Sequence, residues 1–459
     1  MARLGCCGLL LAVACRPQPL APARAEPSAC RYDVTLRSEA PLLLDVEAHC
    51  SGKVAGFSHG EERAAPFIRG RDGRELTAGK GFPIAPEPGG ALHYQVDLEA
   101  LAQNSDRFDV AERVGRSLIA PASSFLLVPE PVDVGIPITV AVHAPNGAFA
   151  SGLERSADGL YHLQAHEIGV ATYCVFGDFR SEMLVLGGST VEIATLDGEL
   201  SASPAVRRQW IETDARAVAD FYSGFPAAHA LIAVIPLAGH AAMNFGKLLP
   251  ASGPAVALVL GGRAQQAALY DDWILVHELF HIGFPSFSDE GKWLDEGSAT
   301  YFEPIIRARV GQLSEREVWR QFITQMPQGF DALGRTGLEH TNFRGIYWGG
   351  ALACLMVDVA ARRATGNRRG LEDAFRAVLA EGGNASHVWS LERVVAAIDR
   401  ALGGAFLADL VRAHAQVGSP FDADTLFREL GVRADGAGVT LDDSAPLAPL
   451  RKAIVLGAH

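Results

Sequence analysis

The sequence predicts an α+β multidomain protein with three parts: an N-terminal β-sandwich-like domain, a mixed α/β domain and a C-terminal helical region. Three observations carry this. From about residue 28 to 195, Gly and Pro cut the chain into short strand-like segments, among them Tyr32-Asp33-Val34-Thr35-Leu36 and Ile138-Thr139-Val140-Ala141-Val142. From about 205 to 366, apolar strand-like runs alternate with segments of helical spacing. From 367 to 459, helical patterns dominate. The 459 residues suit two or three domains at roughly 150 residues each.

Composition narrows the function classes. A 49% hydrophobic and 20% charged chain is globular, which excludes disorder, a coiled coil and collagen. The net charge is −13, from 40 basic and 53 acidic residues, and no Lys/Arg block interrupts it. Nucleic acid is therefore not an expected partner. No apolar run of membrane-spanning length follows the N-terminus, so no integral span is expected.

Residues 1–25 read as a signal peptide: Arg3, an apolar run over 4–15, and the cleavage pattern Ala23-Arg24-Ala25. A second reading processes Ala12-Val13-Ala14-Cys15 and leaves a lipid anchor at Cys15. Pro17, Pro19 and Pro22 oppose a folded helix there. Either reading gives an exported protein, periplasmic, secreted or lipid-anchored at the cell envelope. Four cysteines remain beyond the leader: Cys30, Cys50, Cys174 and Cys354. Cys30 and Cys50 flank a strand-like segment and are a candidate disulfide, while Cys354 lies in an apolar run and reads as buried. No C-x-x-C spacing indicates a thiolate metal site.

Within 205–366 the spacing predicts a helix over 211–222, strands over 228–236 and 255–260, and helices over 270–283 and 296–310. The tail predicts helices over 371–381, 391–402 and 405–415.

The chemistry centres on His277-Glu278-Leu279-Phe280-His281. Two histidines four residues apart share one helix face, so both imidazoles reach one zinc ion. Glu278 between them is placed to accept a proton from water. Asp271 and Asp272 favour the N-terminal turn of this helix. A third ligand is expected downstream. Gly283, Pro285 and Gly291 turn the chain back, and Glu296 opens the next helix, with fourteen residues between it and His281. Glu296 would complete a His, His, Glu set with an open fourth position. Asp289, Glu290 and Asp295 are its rivals; Asp289 and Glu290 sit in a polar turn, and Asp295 reads as an outer-shell acceptor or an N-cap. Glu303, two turns beyond Glu296, either orients a ligand histidine or is a surface carboxylate.

HELFH followed by WLDEGSATYFE resembles the gluzincin metallopeptidases, and its second helix resembles the aminopeptidase N family form. A third element is similar to the glycyl aminopeptidase family: Tyr347-Trp348-Gly349-Gly350-Ala351-Leu352, then Arg362-Arg363-Ala364-Thr365-Gly366, then Gly370-Leu371-Glu372-Asp373. The resemblance covers about 205–431 and, more faintly, the β domain. It implies a thermolysin-like catalytic domain over 205–366, one zinc per chain, a peptide or protein substrate, and Tyr347 as hydrogen-bond donor to a developing oxyanion. The alternative for Tyr347 is a core tyrosine at a helix start.

Two departures matter. Gly349 stands where the glycyl aminopeptidase family has lysine. The segment from Gly239 to Gly246 lacks the glutamate that anchors a free N-terminus in exopeptidases, although Met243, Asn244 and Gly246 remain candidate substrate-binding residues on an edge strand. No PDZ domain is expected after the helical tail. The expected function is a zinc-dependent peptidase with Glu278 as general base, aminopeptidase-like in descent. The alternative is a zinc-containing surface protein that holds peptides without cleaving them.

Overall fold

The computed structural model describes residues 28–76, 83–87, 90–131, 135–145, 148–170, 172–250, 253–287, 290–436 and 438–457. The leader with Cys15, and the rival ligand Asp289, lie outside the described residues.

The N-terminal part is built on two larger sheets. In the six-stranded one, Ala29–Glu39 lies between Leu42–Ser51, antiparallel, and Pro137–His143, parallel. Alternation sets its faces: Cys30, Tyr32, Val34 and Leu36 are buried while Arg31, Thr35 and Arg37 face solvent. Cys30 and Cys50 are directly opposed across the first pair and joined by a disulfide. In the four-stranded sheet Tyr173–Gly177 lies between Phe149–Ser151 and Ser117–Pro121. The buried Tyr32 and Tyr94 hydroxyls donate to the Leu127 and Phe125 carbonyls at 2.6 and 3.0 Å, so neither is left unpaired.

A five-stranded sheet follows, in the order Phe179–Leu186, Ser189–Leu196, His229–Leu237, Ala255–Gly261 and Met243–Leu249. The second to fourth strands run parallel and Met243–Leu249 closes the sheet as an antiparallel edge. This corrects the boundary read at residue 195. The hairpin of residues 179–196 pairs with His229–Leu237 and belongs to this sheet, not to the N-terminal domain. Alternating hydrophobicity marks which side chains are buried but not which strand they join. A cluster of Ile119, Tyr173 and Val175 with Ala194, Leu196, Leu231 and Ala233 packs the two parts together.

Three helix boundaries also shift. The helix expected over 211–222 is Pro204–Tyr222, because Ser203 caps it and Pro204 occupies its first turn. The helix expected over 270–283 is two pieces, Gln266–Tyr270 and Ile274–His281. The break falls at Asp272, whose side chain accepts the Leu275 N–H at 3.1 Å. The helix expected over 296–310 is Lys292–Arg309, started by Gly291 at φ 102°. Glu296 therefore sits in its second turn rather than at its start.

The tail is largely helical, with Leu371–Ala380, Leu391–Leu402, Phe406–His414, Ala423–Glu429 and Ala448–Leu456. Val432–Asp435 and Gly438–Leu441 add a hairpin that periodicity missed. The tail shares a core with the HELFH region: Phe375 packs on Phe280, Phe284 and Phe302 at 5.6, 4.6 and 5.3 Å between ring centroids.

Candidate metal centre

The site forms where two helices and an edge strand meet. Ile274–His281 buries Leu275, Val276, His277, Leu279 and Phe280 and turns Glu278 and His281 toward the cleft. Lys292–Arg309 packs against it and against the helix Gly350–Thr365. That second contact is backbone on backbone: a Cβ on Gly297 would lie 2.4 Å from Gly350 Cα, so only glycine fits. Met243–Leu249 closes the third side. A Cβ on Gly246 would meet Ile274 Cγ2 at 2.3 Å and Glu278 Cγ at 3.0 Å, so Gly246 lets the strand lie against the HELFH helix.

His277, His281 and Glu296 each offer a ligand atom, all within 4.8 Å of one another. The His277 and His281 Nε2 atoms are 3.2 Å apart, and Glu296 Oε2 lies 3.2 Å from the first and 3.5 Å from the second. His281 Nδ1 faces Asp295 Oδ1 at 2.7 Å. With Nδ1 facing Asp295, Nε2 is the nitrogen turned toward His277 and Glu296. Two imidazole nitrogens and a carboxylate oxygen then converge with a shared need for one electrophile, and this N, N, O set fits zinc. Of the rivals, Asp295 serves His281, and Glu290 accepts from Gln416 at 3.3 Å.

The charges are set by the same contacts. Burial works against an ionised Glu296, but the facing imidazoles of His277 and His281, with Lys292, hold its pKa well below the carboxylate range. Burial likewise opposes a charged His281, and Asp295 and Glu296 outweigh it, holding the imidazole pKa well above its ordinary value. Lys292 Nζ lies 2.9 Å from Glu296 Oε1, a contact overlooked in the sequence although its i, i+4 spacing signals it.

Around this centre, Glu278 Oε2 accepts the backbone N–H of Leu248 at 2.8 Å. The Tyr347 ring stacks on His277 at 5.8 Å and 4°. Burial first, then the nearby Glu296 carboxylate, pushes the Tyr347 phenol far above its ordinary pKa, so it keeps its proton. Tyr347 stands in a π-helical turn, Gly345–Gly349, that runs into Gly350–Thr365.

Not every expected residue is here. Gly246 lines the cleft, together with Phe245, Lys247 and Leu248. Met243 and Asn244 are not among the lining residues; Asn244 is exposed and lies 3.3 Å from His240 Nδ1. Glu303 is buried and pairs with Arg307 at 2.9 Å, whereas His277 Nδ1 is buried without a hydrogen-bond partner. The N-terminal part reaches the cleft through Asp109, which accepts from Lys247 at 2.7 Å, and through Phe108, whose ring lies 5.6 Å from Phe245.

No family model and no curated protein matches this chain. Solved structures do. An aminopeptidase N family protein from Idiomarina loihiensis superposes at TM-score 0.66 with 15% identity, over 88% of this chain and 78% of that one. A two-domain M1 zinc metallopeptidase, a glutamate-to-alanine mutant bound to L-arginine, superposes at TM-score 0.51 with 14% identity, over 86% of this chain and 95% of that one. The chain shares its fold with these proteins.

Proposed function

We propose that the chain is a zinc-dependent peptidase, with one zinc held by His277, His281 and Glu296. The observation that carries this reading is the convergence of three ligand atoms within 4.8 Å, with Glu278 on the same helix turn as the two histidines. The shared fold with a zinc metallopeptidase supports it.

A zinc ion there supplies Lewis-acid chemistry: it polarises a carbonyl and makes water more acidic. The chain's own groups do the rest. An extended peptide lies along the free edge of Met243–Leu249 and pairs with its outward backbone groups. Glu278 takes a proton from the attacking water and passes it to the leaving amine. Tyr347 donates its hydroxyl to the carbonyl oxygen as negative charge grows there. Asp295 fixes the tautomer of His281. Among the described residues, the carboxylates lining this cleft are Glu278, Asp295 and Glu296, each committed in this reading to water, histidine or metal. None is left for a substrate ammonium, which favours cleavage within chains over removal of N-terminal residues.

The disulfide between Cys30 and Cys50 supports an exported protein, and none of the helices among the described residues is long and apolar enough to cross a membrane. The test is metal analysis of the purified protein together with hydrolysis of fluorogenic peptides, with and without chelator. One zinc per chain and chelator-sensitive cleavage are expected. Tight peptide binding without turnover would instead favour a peptide-holding protein and reject the enzyme.

A further inference from the structure

A second cavity of about 540 Å³ opens beside the metal centre. Tyr347 lines both, so a side chain seated in the second lies one ring away from the reacting carbonyl. Its wall joins the N-terminal end of the HELFH helix, the helices Lys292–Arg309 and Glu315–Gln325, and the turn that carries Tyr347.

Two properties of this wall are unusual. Trp273 and Phe343 are large apolar residues, yet 47% and 69% exposed, and both border the cavity. They belong to one aromatic array: Phe343 packs on Tyr347 at 4.3 Å, Trp273 meets His277 edge-on at 5.3 Å, and Tyr347 stacks on His277 at 5.8 Å. Apolar area held in water is unfavourable, and an apolar occupant recovers that cost. The second property is charge. Arg320 and Arg344 line the cavity, are exposed, and have no ion-pair partner among the described residues. The other charged groups on the wall are Glu303 and Arg307, which neutralise each other, and Asp271. The balance is cationic.

We infer that this cavity is a specificity pocket for a substrate residue beside the scissile bond: an aromatic or large apolar side chain accompanied by a carboxylate. The inference rests on the peptidase reading above and names its substrate class. The ring packs against Phe343 and Trp273. The carboxylate, from an acidic side chain or from the peptide's own C-terminus, pairs with Arg344 and Arg320 through charge-assisted hydrogen bonds.

The test uses the full-length protein loaded with zinc and peptides that differ at two places. Phe or Ala stands beside the bond, and Glu or Gln follows it, each peptide with a free or an amidated C-terminus. Cleavage points are read by mass. Peptides with Phe and a carboxylate are expected to show kcat/KM about tenfold above their neutral counterparts. An advantage lost with Gln assigns the carboxylate to a side chain; one lost on amidation assigns it to the C-terminus. In a variant carrying Arg320→Glu and Arg344→Glu, the preference should vanish or pass to a Lys peptide, with zinc content and circular dichroism as controls of folding. In Phe343→Ala the advantage of Phe over Ala should shrink. Cleavage with no carboxylate advantage, or an advantage that survives charge reversal, overturns this inference and leaves the peptidase reading standing. Cleavage of no peptide overturns both.

Discussion

The Glu278 carboxylate accepts the backbone N–H of Leu248 at 2.8 Å. This bond ties the candidate base to the edge strand that an extended substrate would join. The strand thus holds in the cleft the carboxylate to which the proposed function assigns proton transfer. In Glu278→Gln the amide oxygen still accepts from Leu248, and none of the three ligand atoms is touched. The variant should keep its zinc and lose kcat by on the order of 10³-fold or more. Metal analysis beside single-turnover hydrolysis checks this; a variant that cleaves peptides normally would rule out Glu278 as the base.

Tyr347 leads to a second expectation. Its ring is fixed by stacking on His277 and by Phe343 on its other contact, and its phenol stays protonated. Removing only the hydroxyl leaves that packing in place. Tyr347→Phe should lower kcat by about 10²-fold with a small change in KM, because the lost hydrogen bond forms as the oxyanion develops. A rise in KM at constant kcat would make Tyr347 a ground-state binding residue instead.

The two candidate ligand histidines are not supported alike. His281 Nδ1 is held by Asp295 at 2.7 Å, while His277 Nδ1 is buried and unpartnered, so His277 is oriented by the rings of Trp273 and Tyr347. Among the described residues, Asp295 is therefore the sole polar partner at an Nδ1 atom of the two candidate ligand histidines. Asp295→Asn should weaken zinc binding about 10- to 100-fold in a chelator competition. Unchanged affinity would mean that packing alone orients His281.

How much of this was legible in the sequence follows from how local each signal is. His277, Glu278 and His281 were readable because helix geometry fixes residues one turn apart. Glu296 was readable because Gly291 and the apolar helix after it bring the chain back. Asp295 on His281 follows from the same turn. The hairpin of residues 179–196 was misplaced because strand pairing is non-local, and alternation looks the same in either sheet. For Glu303 the sequence offers two roles, histidine partner or surface carboxylate, while Arg307 four residues on signals the ion pair that it makes. The pocket of Trp273, Arg320 and Phe343 gave no signal, because its walls come from four separate segments.

Beneath the HELFH helix lies a group of buried carboxylates that should leave a mark on stability. Burial raises Asp214 to about 7, Glu303 to about 7 and Asp272 to about 6, and Arg307 is the cation facing them. Asp214 Oδ1 accepts from Gln312 at 2.6 Å, whereas its Oδ2 is buried without a partner. Between about pH 4 and pH 7 the folded chain holds protons that the unfolded chain has released, so stability falls as pH rises through this window. The contribution is complete at the acid end and gone above the raised pKa values. Asp214→Asn keeps the oxygen that Gln312 needs and removes the charge. Its Tm should match the parent's near pH 4 and exceed it by roughly a few degrees at pH 8. Thermal melts across that range decide the matter: a Tm difference that does not change with pH would show that Asp214 is not titrating, and that its burial is compensated by a contact other than a proton.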